Sequence, residues 1–184
     1  HHVGRMLDTL DELGLADDTV VIFTSDHGEW LGEHLKYGKG YPGHDCVSRV
    51  PMLMRVPGVE GGKRVSQLVE GVDIVPTLLE LCGAPVPPHL QGTSLRSLIE
   101  GEDEPVKDIT LMEFTGWKMV RSQEYRYIAH DDGREFLYDL NAEWGEYRDV
   151  SGEEGYAAAL TKHRQFLIQR LISMERPRKK VWSY

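Results

Sequence analysis

The run Thr19-Val20-Val21-Ile22-Phe23-Thr24 constrains the fold of this chain most. Consecutive β-branched and aromatic residues leave no polar face, the pattern of a strand buried on both sides. A helical repeat feeds it: Val3, Met6, Leu7, Leu10 and Leu13 share one face, Asp8, Asp11 and Glu12 the other. Gly14 and the Ala16-Asp17-Asp18 turn end that helix. A helix leading into a buried strand predicts an α/β layer, part of a mostly parallel sheet flanked by helices. The helix has no cap or lead-in, so the chain is expected to open inside a domain, unless His1 and His2 are tag remnants.

Further elements follow from the same periodicities. Residues 25–49 are dense in Gly, His, Asp, Glu and Lys without a repeat, and a loop of that length in a compact domain is usually functional. Val50-Pro51-Met52-Leu53-Met54-Arg55-Val56 reads as a second buried strand, and residues 64–69 as a short one. Asp73 is placed as N-cap of a helix through Ile74, Leu78, Leu79 and Leu81, stopped at Gly83, and residues 94–99 as one or two helical turns. After the acidic turn at 101–105 come four β-prone runs, 109–114, 118–122, 125–130 and 135–140, separated by turn residues such as Asp131-Asp132-Gly133. These predict a small antiparallel sheet subdomain, with a carboxyl-terminal amphipathic helix over 156–174 laid across it by Leu160, Phe166, Leu167 and Leu171. The expected division is 1–104 for the α/β part and 105–184 for the small subdomain.

Composition narrows the function classes. The 184 residues carry 21 Lys/Arg against 30 Asp/Glu, a net charge of −9, and the acid excess lies before Lys162. An acidic body lacks the basic face that a phosphate backbone demands, so no nucleic-acid partner is expected. No apolar stretch approaches the roughly 20 residues of a membrane span, so no membrane partner is expected and the protein reads as soluble, cytoplasmic or periplasmic. The basic run Arg176-Pro177-Arg178-Lys179-Lys180 is read as a solvated end, or one that packs on an acidic surface. Two cysteines cannot staple a fold of this size. Cys82 is read as a small core residue; Cys46 needs a lowered pKa to be reactive, with His44 the nearest base.

The candidate chemistry sits where the first strand empties into Ser25-Asp26-His27-Gly28. Loops at the carboxyl ends of strands collect ligands in open α/β sheets, because the sheet fixes their first residues. Asp26 offers hard oxygens and His27 an imidazole nitrogen, a pair suited to one divalent cation. Lys39, between Gly38 and Gly40, is a compact donor for an anionic oxygen on the same loop. His34 and His44 read as ligands, proton donors or loop hydrogen-bonding groups. Trp30 and Tyr37 read as loop anchors, and Glu29, Glu33 and Asp45 as solvated or paired acids.

In order and spacing, Thr24-Ser25-Asp26-His27-Gly28, Leu31-Gly32-Glu33-His34, Lys39, Ser48-Arg49-Val50-Pro51 and Pro57-Gly58 resemble the second half of a sulfatase of the alkaline-phosphatase superfamily. Val72-Asp73-Ile74-Val75-Pro76-Thr77-Leu78-Leu79, Gln91-Gly92-Thr93-Ser94-Leu95 and Phe136-Leu137-Tyr138-Asp139-Leu140 extend the likeness. The resemblance implies that Asp26 and His27 ligate one divalent metal, Ca2+ in most sulfatases and Mn2+, Zn2+ or Fe2+ in the phosphonate and phosphodiester hydrolase branch. It implies a catalytic, substrate-binding Lys39 that holds an oxygen of the transferred group; His44 is a further candidate for substrate binding. The family's formylglycine nucleophile arises from a C/S-x-P-x-R motif that these residues lack, Cys46-Val47-Ser48-Arg49 being only an echo. The nucleophile is therefore expected in a missing amino-terminal half of the same protein, and this chain by itself is expected to be inactive.

Three functions are carried forward. The first is hydrolysis of sulfate monoesters on a small molecule or glycan. The second is hydrolysis of phosphonate monoesters or phosphodiesters, favoured by the nitrogen ligand His27. The third is a noncatalytic module of the same fold. A homo-oligomer is compatible with all three.

Overall fold

The computed structural model describes residues 1–175. The basic run at 176–180 lies outside them. Among the described residues no helix is long and apolar enough to cross a membrane. The elements, in order, are α1 (His2–Glu12), β1 (Val21–Thr24), α2 (Asp45–Ser48), β2 (Met52–Arg55), α3 (Ile74–Leu81), α4 (Arg96–Glu100), β3 (Thr110–Phe114), β4 (Trp117–Arg121), β5 (Tyr125–His130), β6 (Glu135–Asp139) and α5 (Ala157–Met174).

The chain is α/β, but the described strands contain no parallel pair. β1 pairs antiparallel with β2, Val21 opposite Arg55 and Thr24 opposite Met52. Side-chain pattern reports burial, not direction, so it does not fix how these two strands pair, and the described residues hold no parallel part of the expected sheet. Residues 25–51 leave the end of β1 and re-enter beside that same end, which fixes an antiparallel return. The described residues do not themselves supply cover on both sides of this ladder. Phe23 and Leu53 are exposed, and α1 buries none of its residues.

The second sheet fulfils its pattern. Strands β3-β4-β5-β6 form a four-stranded antiparallel meander in sequence order. Alternation gives it two faces. Val120, Tyr127 and Leu137 point to one face and pack with Val150, Leu160 and Leu167, the last two from α5. Trp117, Met119, Ile128 and Tyr138 point to the other and pack with Tyr41, Met112 and Phe136. The helix therefore covers one face, and the loop after β1 covers the other. On α5 the inward stripe is Leu160, His163 and Leu167. His163 is satisfied there, its Nδ1 at 2.7 Å from the Ala159 carbonyl and its Nε2 at 3.0 Å from Ser122 Oγ.

Three local expectations are corrected. Residues 64–69 are not a strand. Cys82 is exposed rather than in the core, because it lies at the α3 carboxyl end, just before the left-handed Gly83 that terminates the helix. Asp73 is the N-cap residue of α3, but its side chain makes no capping bond. Its fully buried carboxylate accepts from the Glu70 and Thr93 backbone amides and pairs with Lys107 at 2.6 Å. Lys107 also pairs with Glu70, as does Arg170 of α5, so this ionic knot ties α3, the start of the meander and the last helix together.

Candidate active site

Asp26 and His27 follow β1 directly, and Gly28 turns the backbone under the loop. The Gly28 amide donates to the Val47 carbonyl at 2.7 Å, and a Cβ on Gly28 would lie 2.0 Å from the Cys46 carbonyl oxygen. Only glycine permits that approach. The loop then closes on itself: the Trp30 amide donates to the Gly38 carbonyl, which delivers Lys39 back to His27.

The three residues singled out from sequence meet. Lys39 Nζ is 2.8 Å from His27 Nε2, and Asp26 Oδ2 is 3.5 Å from the same nitrogen. His27 Nδ1 lies 2.7 Å from the Gly28 carbonyl oxygen, which can only accept, so Nδ1 carries the proton. Nε2 is thereby left as a lone pair directed at the Asp26 and Lys39 head groups. An imidazole oriented through its other nitrogen by a carbonyl is the arrangement that prepares histidine for a metal. Asp26 accepts from the His27 amide at 2.9 Å, and that bond, with the imidazole beside it, holds its carboxyl below the usual carboxylate range. The carboxylate is exposed, ionised and next to an imidazole nitrogen that Lys39 meets from the other side. That donor set fits one divalent cation, with coordination positions left for other ligands.

His44 is placed elsewhere. It is buried and makes no hydrogen bond or ring contact with Asp26, His27 or Lys39 among the described residues. Arg126 Nη1 donates to its Nδ1 at 3.0 Å. Burial, reinforced by the Arg126 charge, pushes its pKa down to about 3, so it is neutral with Nε2 protonated. Trp30 is buried and anchors the loop, with its ring edge on His34 and His44. Tyr37 is exposed and anchors nothing. Cys46 has its thiol pKa raised, first by burial and then by Glu146, the reverse of what a nucleophile needs.

Sequence reasoning missed Arg126. It projects from β5 onto the loop-covered face, wholly buried, and binds Asp45, Glu146 and His44 together. Asp45 is held ionised against its own burial by the Arg126 and Arg121 guanidiniums. A charged residue at an inward position of an otherwise apolar alternation (Arg126 before Ile128) was the available signal. His34, His44 and Glu146 also place ligand atoms within 4.8 Å of one another. They do not form a metal site. The two imidazoles are stacked at 4.4 Å and 18°, so their in-plane lone pairs run nearly parallel rather than converging. Arg126 already occupies His44 Nδ1 and Glu146.

Comparison with known proteins bears on the family and the fold. The sulfatase family profile matches residues 1–84. Arylsulfatase K of Bos taurus is 34% identical over 167 residues, an alignment covering 82% of this chain and 31% of that protein. The phosphonate monoester hydrolase of Silicibacter pomeroyi superimposes with a TM-score of 0.87 at 29% identity, over 95% of this chain and 39% of that one. A second structure, solved in complex with its substrate D-glucosamine-2-N,6-O-disulfate, superimposes with a TM-score of 0.82 at 26% identity, over 97% of this chain and 40% of that one. The chain belongs to the sulfatase family. It spans about a third of the length of the curated relatives it matches.

Proposed function

We propose that this chain supplies the metal- and oxyanion-holding residues of a metal-dependent hydrolase of sulfate monoesters. The observation that carries the reading is the meeting of Asp26, His27 and Lys39 at one point on the lip of β1. A sulfate ester places three anionic or partly anionic oxygens around sulfur, and cleavage shifts further charge onto the leaving oxygen. The metal, Ca2+ by family resemblance, supplies Lewis-acid stabilisation of that charge when bound. Asp26 and His27 Nε2 would hold it. The Gly28 carbonyl sets the imidazole tautomer that offers Nε2 as the donor atom. Lys39, whose Nζ lies 2.8 Å from that nitrogen, would hold a non-bridging oxygen of the ester. The nucleophile, a hydrated formylglycine by resemblance, comes from outside these 184 residues.

A second reading has a specific observation behind it. The nitrogen ligand His27 and the Silicibacter pomeroyi superposition favour cleavage of phosphonate monoesters or phosphodiesters with Mn2+, Zn2+ or Fe2+.

The test uses the complete enzyme with metal content measured by elemental analysis. Asp26→Ala is expected to lose both metal and turnover. Lys39→Ala is expected to keep its metal and lose about 10²–10³ in kcat, the usual cost of removing one oxyanion donor. Metal and turnover that survive Asp26→Ala would overturn the site. Turnover of phenyl phosphonate esters in clear preference to aryl sulfates would replace the first reading by the second.

A further inference from the structure

The loop that carries His27 and Lys39 also borders an open cleft of about 640 Å³, to which Glu29, Glu33, His34 and Tyr147 contribute. Tyr147 stacks on His34 at 3.9 Å and 8°, and His34 stacks in turn on buried His44, so a three-ring column backs the cleft. Tyr147 Oη donates to Glu33 Oε2 at 2.7 Å, leaving the other oxygen of that carboxylate without a protein donor. The Glu29 carboxylate has no hydrogen bond or ion pair among the described residues, where no lysine or arginine lines the cleft. Lys36 is turned away, its Nζ on the Tyr41 carbonyl and over the Trp30 ring.

The backbone here is held against its preference. Leu31, His34 and Leu35 all adopt positive φ (46°, 51° and 58°), and Leu31 and Leu35 leave their side chains 78% and 97% exposed at the cleft. Left-handed non-glycine residues concentrate at ligand clamps, where surrounding contacts over-determine them. Glu29 is two residues from His27, and two residues span at most about 7 Å, the reach of one sugar ring. An aromatic column with carboxylate acceptors suits a ring bearing donors, and repels a ring bearing a second anion.

We infer that this cleft is the ring-side subsite of the ester site, and that it selects sugar sulfates whose ring presents hydroxyl or protonated amino groups while discriminating against a second sulfate. The inference rests on the sulfate-ester reading for its chemistry, but not for its binding. The test compares kcat/KM of the complete enzyme on glucosamine 6-sulfate, glucosamine 2-N,6-O-disulfate and p-nitrophenyl sulfate. The native enzyme is expected to prefer the monosulfate at least tenfold. Glu33→Gln, which keeps shape and the bond from Tyr147, should narrow that preference about fivefold, the worth of one solvated charge at contact range. Glu29→Gln should act likewise. Preference for the disulfate, or a ratio unmoved by either variant, overturns the inference. If none of the three sulfates is cleaved, the ester reading fails. Equilibrium binding of glucosamine against glucosamine N-sulfate, read by NMR titration, then decides the cleft separately: tighter glucosamine supports it, and equal or weaker glucosamine binding overturns it.

Discussion

The two sheets of this chain differ in how much of the cover their hydrophobic patterns call for lies within the described residues. The meander is buried on both faces, with Val120, Ile128 and Leu137 at 0% exposure, because α5 covers one side and the site loop the other. The β1–β2 ladder is as apolar in sequence yet leaves Leu53 60% exposed. The candidate centre stands on the sparsely covered ladder, but its loop is held by the well-covered sheet. Rigidity at the site is borrowed across the molecule, and Arg126 is the point of transfer.

Breaking that transfer should cost most. Arg126→Ala takes from Glu146 its buried cation and leaves Asp45 only Arg121 and Arg49, and breaking a buried pair in this way costs about 3–5 kcal/mol. Urea denaturation of the variant measures the loss. Restoration of most of it by adding Asp45→Asn and Glu146→Gln would show that uncompensated charge is the cause. A loss under 1 kcal/mol would show that the loop holds itself.

Next in size is the contrast between the sheets. Leu137→Ala opens a cavity between the meander and α5 and should cost about 2–5 kcal/mol. Leu53→Ala, at an exposed ladder position, should stay within about 0.5 kcal/mol in the same titration. Equal costs would erase the distinction between the two sheets.

Much of this arrangement could be read from the chain. The meander was legible because period-2 alternation and turn residues are local signals, and α5 because its apolar stripe repeats. Asp26, His27 and Lys39 were legible because a strand end and a glycine-rich loop limit where their side chains can go. Strand direction was not legible, since Val21 and Ile22 look alike in parallel and antiparallel company. The role of the Asp73 side chain was not legible because its partners, Thr93 and Lys107, are brought to it only by tertiary folding. The Arg126 cluster joins residues about 80 and 20 positions away, so no local window contains it.

Acid should sharpen the comparison at intermediate size. His44 has its pKa depressed to about 3 against an ordinary 6.5. The unfolded chain therefore binds a proton that the folded one refuses, and the stability His44 contributes, full above pH 6.5, is lost as pH falls towards 3. One proton sets a limiting slope of about 1.4 kcal/mol per pH unit. His44→Asn, which keeps an acceptor for Arg126, should flatten the slope measured between pH 6.5 and 4.5. An unchanged slope would mean that His44 protonates freely in the folded loop.

The smallest effect is expected where charge is solvated. Arg164 of α5 pairs with Glu135 of β6 at the rim of the helix-covered face, both partly exposed, and Tyr127 Oη donates to the same carboxylate at 2.9 Å. The Arg164 bond leads the causes that hold Glu135 below its ordinary pKa, so the contribution is present above that ordinary value and is lost as pH falls through the folded one. Exposed pairs are worth about 0.2–1 kcal/mol, so Arg164→Ala should lower stability by no more than that at pH 7. The difference should disappear in acid. Burial rather than charge count separates Arg164 from Arg126, and a cost for Arg164→Ala as large as that for Arg126→Ala would refute that ordering.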